Sequence, residues 1–299
     1  MTFIKWVGGK TQILDELFKR FPKTMNNYIE PFLGGGSVLI ELLNKLEKKE
    51  ITLTGQIYCS DINQNLINCY NHIKTTFNEL IKELDELVKL NNQNKNLANS
   101  TTVPNTLQDA IKQGNDSLYY YLRKEYNNDN TLPIRKSALL IFLNKTCFRG
   151  LYRAGKNGFN VPYGNYKNPT IYDYDHLTNL NKLFNKYNVT FACEKFTDAV
   201  YKRIQVNDFC YLDPPYYPID STSFVDYNKD GFNENDHNDL ILLCMNLDLL
   251  GNKFLLSNSD TDYIKNNLQQ FQTDIIKCKR AINSKNPNSM TNEVLVRNF

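Results

Sequence analysis

Histidine and tryptophan are scarce in this 299-residue chain, with three of the first and one of the second. The seven cysteines are an odd number, and no two have the C-x-x-C spacing of a zinc or dithiol site. That shortage argues against structural zinc and points to a reducing compartment. No apolar run approaches the roughly 18 residues of a membrane span, and the first residues lack a signal-peptide core. A large excess of one charge is missing too. A formal net charge of +3 is too small to make the whole surface basic, so any basic face must be local. No internal repeat is present. The expectation is an intracellular, cytoplasmic, monomeric protein without metal or membrane.

With 41% apolar residues the chain can bury a core, as one large α/β domain or one carrying an insertion. Its most informative stretch is Asp208-Phe-Cys-Tyr-Leu-Asp213-Pro214-Pro215-Tyr216-Tyr217-Pro218. Phe209 to Leu212 is a short apolar run that reads as a buried strand. Pro214 and Pro215 end it, removing two backbone donors and fixing φ, so the chain beyond Asp213 is a rigid extended turn. In open α/β sheets ligands sit at the carboxyl ends of strands. Asp213 and the Pro214 carbonyl are two acceptors that suit the two N–H donors of a planar exocyclic amine and favour its nucleophilic form. Tyr216 offers a flat face for an unstacked base. The plain alternative is a strand stopping at a Pro-Pro turn before a surface loop. A flanking Asp and Tyr favour the functional reading.

The chain opens with Phe3-Ile-Lys5-Trp6-Val7-Gly8-Gly9-Lys10-Thr11. Gly-Lys-Thr suggests a phosphate loop, but the motif's first glycine would fall at Ile4, with no room for a preceding strand. Gly8 and Gly9 instead allow close backbone approach to a ligand, or form a simple loop before a helix over residues 12–20. Residues 28–30 read as a strand, followed by Pro31-Phe32-Leu33-Gly34-Gly35-Gly36-Ser37 and an apolar helix over 38–46. The dinucleotide fingerprint is incomplete because its third glycine would fall at Leu39. The next strand, 56–60, runs into Asp61, where an acid holds ribose hydroxyls or caps a helix over 63–74. These features favour an adenosine-bearing ligand without pyrophosphate, and S-adenosylmethionine fits, with Glu30 or the glycine turn near its aminoacyl part.

Helical periodicity runs to about residue 89, and 91–106 is a polar, Asn-rich insertion. Helices follow near 117–126 and 134–146. Residues 147–164 are a basic loop interleaved with aromatics and glycines, the composition of a surface that meets bases and phosphates, or else a solvated turn region. There an Arg can pair with guanine, Leu or Pro can touch a thymine methyl, and Phe148 can wedge between bases. Strands at 189–193 and 209–212 resume the α/β alternation; between them Phe196 can flank an adenine, and Asp198 can accept from its amine or cap a helix. A lid over 218–234, a helix at 235–250, a strand at 254–257, a helix at 260–268 and strands near 274–277 and 294–297 complete the reading. The last two strands join through a loop carrying Lys279, Arg280 and Lys285.

Lys5-Trp6-x-Gly-Gly-Lys10, Glu30-Pro-Phe-x-Gly-x-Gly-Ser37, Asp61-Ile-Asn63, Asn144 through Asn160-Val-Pro-Tyr-Gly164, Phe196-x-Asp198 and Asp213-Pro-Pro-Tyr216 follow one another in this order. The combination resembles the Dam-like DNA N6-adenine methyltransferases over most of the chain. The resemblance implies an α/β, Rossmann-like S-adenosylmethionine-dependent methyltransferase sheet over residues 1–62 and 173–299, with an inserted, mostly helical DNA-recognition domain over 63–172. It implies S-adenosylmethionine contacts at Trp6, Gly8, Gly9, Lys10, Glu30, Pro31, Phe32, Gly34, Gly36, Ser37, Asp61, Ile62, Phe196, Asp198 and Asp213. Catalysis falls to Asp213, Pro214, Pro215 and Tyr216. Lys5, Leu151, Arg153 and Pro162 look like base contacts, with Phe148 and Arg149 beside them on double-stranded DNA. Members with this arrangement commonly modify the adenine of GATC, alone or beside a cognate restriction endonuclease. Two departures stand out: the insertion at 91–106 is longer than the pattern needs, and Arg149 replaces a polar uncharged residue. None of the seven cysteines follows a proline, which argues against cytosine-C5 chemistry. RNA adenine methylation and a DNA-binding module without catalysis are the rival readings.

Overall fold

The computed structural model describes residues 2–93, 103–219, 231–279 and 290–299. Its contacts gather into two compact units: Lys10–Ile62 with Tyr187–Phe299, and Met1–Gly9 with Asn63–Lys186. Residues 94–102, 220–230 and 280–289, which carry most of the expected insertion, lid and basic hairpin loop, lie outside the described residues.

The first of these units is built on seven strands: β1 Tyr28–Glu30, β2 Ile57–Asp61, β3 Thr190–Cys193, β4 Phe209–Leu212, β5 Lys253–Ser259, β6 Gln272–Lys279 and β7 Met290–Arg297. They lie in the order β6-β7-β5-β4-β1-β2-β3. β5, β4, β1, β2 and β3 pair in parallel, whereas β7 runs antiparallel to both of its neighbours. This is the mostly parallel α/β sheet that the motifs predict. All four residues of β4 are buried, as expected of a parallel strand covered on both faces. In β6, Ile276 and Cys278 are buried while Ile275 is exposed, the half-solvated pattern of an edge.

Register matches Cys210 with Phe254 and Leu212 with Leu256, so these side chains share one face. There they meet Leu240, Leu243, Cys244 and Leu247 of the helix Glu234–Leu249. That helix starts at a capping box in which the side chains of Asn233 and Asp236 each accept from the other's backbone. The amino ends of β1 and β4 are aligned by Asp208, which is fully buried. Its carboxylate accepts from the Asn27 N–H at 2.9 Å, the Asn26 amide at 2.9 Å and the Gln205 N–H at 2.7 Å. A buried charge is tolerated when surrounded by donors in this way.

The other unit is helical. Its central helix, Pro133–Thr146, packs against Gln64–Thr75, Phe77–Gln93 and Asn115–Tyr126. Ala138 through Asn144 are all buried, so it is covered on every side. Pro133 sits in its first turn, where the missing N–H costs nothing. Helix Tyr174–Lys186 also belongs to this unit: Leu177, Leu180, Leu183 and Phe184 are buried, and the Asn181 amide donates to the Ile73 carbonyl at 2.7 Å. Phe3 joins the same unit through an edge contact with Tyr70 at 5.1 Å. No helix among the described residues is long and apolar enough to cross a membrane.

Candidate active site

β4 ends at Leu212, and Asp213 leaves the sheet edge ion-paired to Lys10, Nζ to carboxylate 2.8 Å. Lys10 is buried, and its backbone N–H donates to Ser37 Oγ at 3.1 Å. The same ammonium lies 4.9 Å from the centroid of the Tyr216 ring, within cation–π range. Burial pushes the Asp213 carboxyl up to about 6; Lys10 opposes the rise and Glu293 adds to it. The turn is clamped on its far side. Asn258 Oδ1 accepts from the Tyr217 N–H at 2.9 Å, and Ser259 Oγ donates to the Tyr217 carbonyl at 2.6 Å. Pairing of Leu212 with Leu256 is what carries β5's last residues to this place.

β1 delivers Glu30, fully buried, which accepts from the Tyr28 hydroxyl at 2.8 Å. Burial raises its carboxyl to about 8, and the Asp213 charge adds to the rise. After Pro31 and Phe32 the chain turns tightly: Gly34 and Gly36 have φ of 48° and 68°, the left-handed region that glycine enters without strain. The helix Ser37–Glu47 follows. Asp61, at the end of β2, accepts from the Gly34 N–H at 2.9 Å. The helix after it is capped by Asn63, whose side chain accepts from the Leu66 N–H, so Asp61 serves the glycine turn and not a cap. Ile62 beside it is 75% exposed. Phe32 stacks on Phe196 at 5.1 Å, and Phe232 packs against both. Asp198 lies in the first turn of Phe196–Tyr201 and is exposed; Lys195 holds the cap position.

Lys5, Trp6, Gly8 and Gly9 belong to the helical unit together with the loop of residues 147–164. Asn144, buried in the central helix, joins the two segments. Its Oδ1 accepts from the Lys5 N–H at 2.8 Å, and its Nδ2 donates to the carbonyls of Lys5 at 2.8 Å and Gly150 at 3.0 Å. Trp6 stacks on Tyr152 at 4.8 Å. Arg153 Nε donates to Asn160 Oδ1 at 2.7 Å across the short hairpin Ala154–Gly155 and Gly158–Phe159. Phe148 is half exposed, with the Arg149 guanidinium 5.2 Å from its ring centroid. The Phe148 N–H donates to the Pro162 carbonyl at 2.8 Å, and Leu151 is half-buried. The Tyr119 hydroxyl and Arg123 both donate to the Val161 carbonyl, bracing the loop against Asn115–Tyr126. Sequence reasoning missed Asn258, Glu293, Tyr119 and the bracing role of Asn144. The signal for Asn144 is a single amide at the end of the apolar run from Ala138.

Gly150 has φ of 67°, and a Cβ there would lie 2.5 Å from Lys5 Cδ and 3.2 Å from the Asn144 carbonyl. Gly150→Ala is therefore expected to lower stability by about 1–2 kcal/mol from the left-handed strain alone. It should also push the Lys5 side chain from its place, and thermal unfolding checks the loss of stability.

Residues 6–282 match the family model of the D12 class N6 adenine-specific DNA methyltransferases. The chain belongs to this family. The methyltransferase is 37% identical to a type II methyltransferase of Methanocaldococcus jannaschii, covering 99% of this chain and 98% of the relative. A type II methyltransferase of Lactococcus lactis subsp. cremoris is 30% identical over 99% of this chain and 95% of its own length. A DNA adenine methylase of Serratia marcescens is 30% identical over 94% of this chain and 91% of its own. The methyltransferase therefore acts on DNA and methylates adenine at N6, as the motifs around Asp213 predict.

Proposed function

We propose that the methyltransferase takes its methyl group from S-adenosylmethionine and delivers it to an adenine swung out of duplex DNA, within GATC. The observation that carries this reading is Asp213 held at the end of β4 by Lys10, with the Tyr216 ring beside the same ammonium. A carboxylate fixed in that way can accept from N6 together with the Pro214 carbonyl, while Tyr216 receives the face of the base. The acids at the strand ends suit the donor: Glu30 near its aminoacyl part, Asp61 for ribose hydroxyls, with a glycine turn between them and no fingerprint for pyrophosphate. Held by these residues, S-adenosylmethionine would supply an electrophilic sulfonium methyl group for direct transfer to N6, with no covalent enzyme intermediate. The chain's own residues orient the amine and the ring, and alignment of this kind corresponds to about 7–11 kcal/mol of the barrier. Trp6, Gly8 and Gly9 take a cofactor role by resemblance alone.

Lys5, Leu151, Arg153 and Pro162 read the sequence in this proposal, Arg153 giving two donors to guanine O6 and N7. What supports it is the Asn144 fork that fastens Lys5 to the loop, and the Asn160 contact that orients the Arg153 guanidinium. The relatives named type II methyltransferases favour modification beside a restriction endonuclease. Labelled methyl transfer to duplex DNA, single-stranded DNA and RNA tests the substrate class. Duplexes carrying GATC or its single-base variants test the site. Arg153→Ala should lose about 1–3 kcal/mol of discrimination at one guanine position. A uniform loss on all duplexes, with a shallower salt dependence, would instead place Arg153 on the phosphate backbone.

A further inference from the structure

We propose that Glu293 is a positioning residue for methyl transfer, holding the Tyr216 ring at the angle at which it receives the target adenine. The inference rests on the reading of Tyr216 as the stacking face. Pro214 and Pro215 stiffen the backbone before Tyr216, but they leave its side-chain torsions unset. Those torsions are fixed by contacts from outside the turn. The Tyr216 hydroxyl donates to Glu293 Oε2 at 2.8 Å, and the Lys10 ammonium lies 4.9 Å from the ring centroid. Because Lys10 also pairs with Asp213 at 2.8 Å, the acceptor carboxylate and the ring share one cation. Glu293 sets the opposite, distal end of the ring.

The sheet makes Glu293 a firm anchor. It lies on β7, opposite Ser259 of β5 on one side and Ile276 of β6 on the other. Ser259 is the residue that, with Asn258, grips the Tyr217 backbone. One strand pair thus fixes both the backbone after Tyr216 and the end of its side chain. An acid directly before the buried run Val294, Leu295 and Val296 is costly unless partnered, and a phenol-to-carboxylate bond is a strong partner. Glu293 meets the ring's hydroxyl and its charge also bears on the Asp213 carboxyl, so Glu293→Gln, which removes the charge and keeps an acceptor, isolates the part that runs through Tyr216.

The test is a set of single-turnover rates on one methylatable duplex, with cofactor affinity by calorimetry. Glu293→Leu and Tyr216→Phe each remove the bond, and each should slow transfer about tenfold. The double variant should be no slower than the slower single, because both changes cut the same bond. Glu293→Gln keeps a carbonyl acceptor and should recover most of the rate. Cofactor affinity should stay within about twofold throughout. Losses that multiply in the double variant, or a wild-type rate for Glu293→Leu, would overturn the proposal. So would equal losses in Glu293→Leu and Glu293→Gln accompanied by lower thermal stability. Tyr216→Ala separates the two ideas: a wild-type rate there removes the stacking role itself, whereas a large loss there with uncoupled Glu293 removes only the positioning role.

Discussion

Asp213→Ala is expected to lower single-turnover methyl transfer by about 10²–10³-fold, the cost of removing one preorganised group aimed at the reacting centre. Asp213 is the stronger acceptor for N6 when ionised, and burial holds its pKa at about 6. Wild-type activity should therefore fall as the pH drops through about 6, one proton switching it off. Asp213→Asn keeps the shape and removes the titration, so its low residual rate should be flat through that range. The Ala variant also leaves Lys10 buried without its carboxylate, which makes Asp213→Asn the cleaner comparison for stability. Normal methylation by a folded Asp213→Ala protein, or an Asn variant that keeps the acid limb, would end this mechanism.

The second large effect concerns Glu30. The folded protein holds this proton up to about pH 8, whereas the ordinary carboxyl releases it near 4.5. Between those values the folded state binds more protons than the unfolded one, so this group's contribution to stability falls as pH rises. It is fully present below 4.5 and is lost through about 8. Across that window the decline is about 1.4 kcal/mol per pH unit from this one group. Glu30→Gln retains an acceptor for the Tyr28 hydroxyl and cannot ionise, so its stability should be flatter with pH and higher than wild type near pH 8. Urea unfolding at pH 5 and pH 8 for both proteins checks this. Parallel changes in the two would show that Glu30 is already ionised at neutral pH.

The sequence by itself determined the parts governed by local physics. An apolar run closed by two prolines is a strand and a stiff turn in any fold, and β4 spans the expected Phe209–Leu212. β1 likewise matches, and the helix expected over 38–46 is Ser37–Glu47, because a glycine turn before an apolar periodic stretch specifies both. The order of the motifs was sufficient to reach the family. The helix expected over 12–20 shrinks to Leu14–Phe18, and no side chain caps its start. Leu107–Gln113 escaped notice because it is seven residues long and follows a polar, aperiodic stretch.

Tertiary structure decided which distant groups meet. Lys10 and Asp213 are remote in sequence, and nothing local to either forecasts a 2.8 Å ion pair. Asn144 stands at the start of one of the family's motifs, but only the folded chain brings its amide to both Lys5 and Gly150. Glu293 reaches Tyr216 because β7 inserts between β5 and β6 against the direction of the other strands. Hydrophobic period records which face of a strand is buried, but not which strand lies beside it. That choice rests on register and strand order, which are properties of the whole sheet.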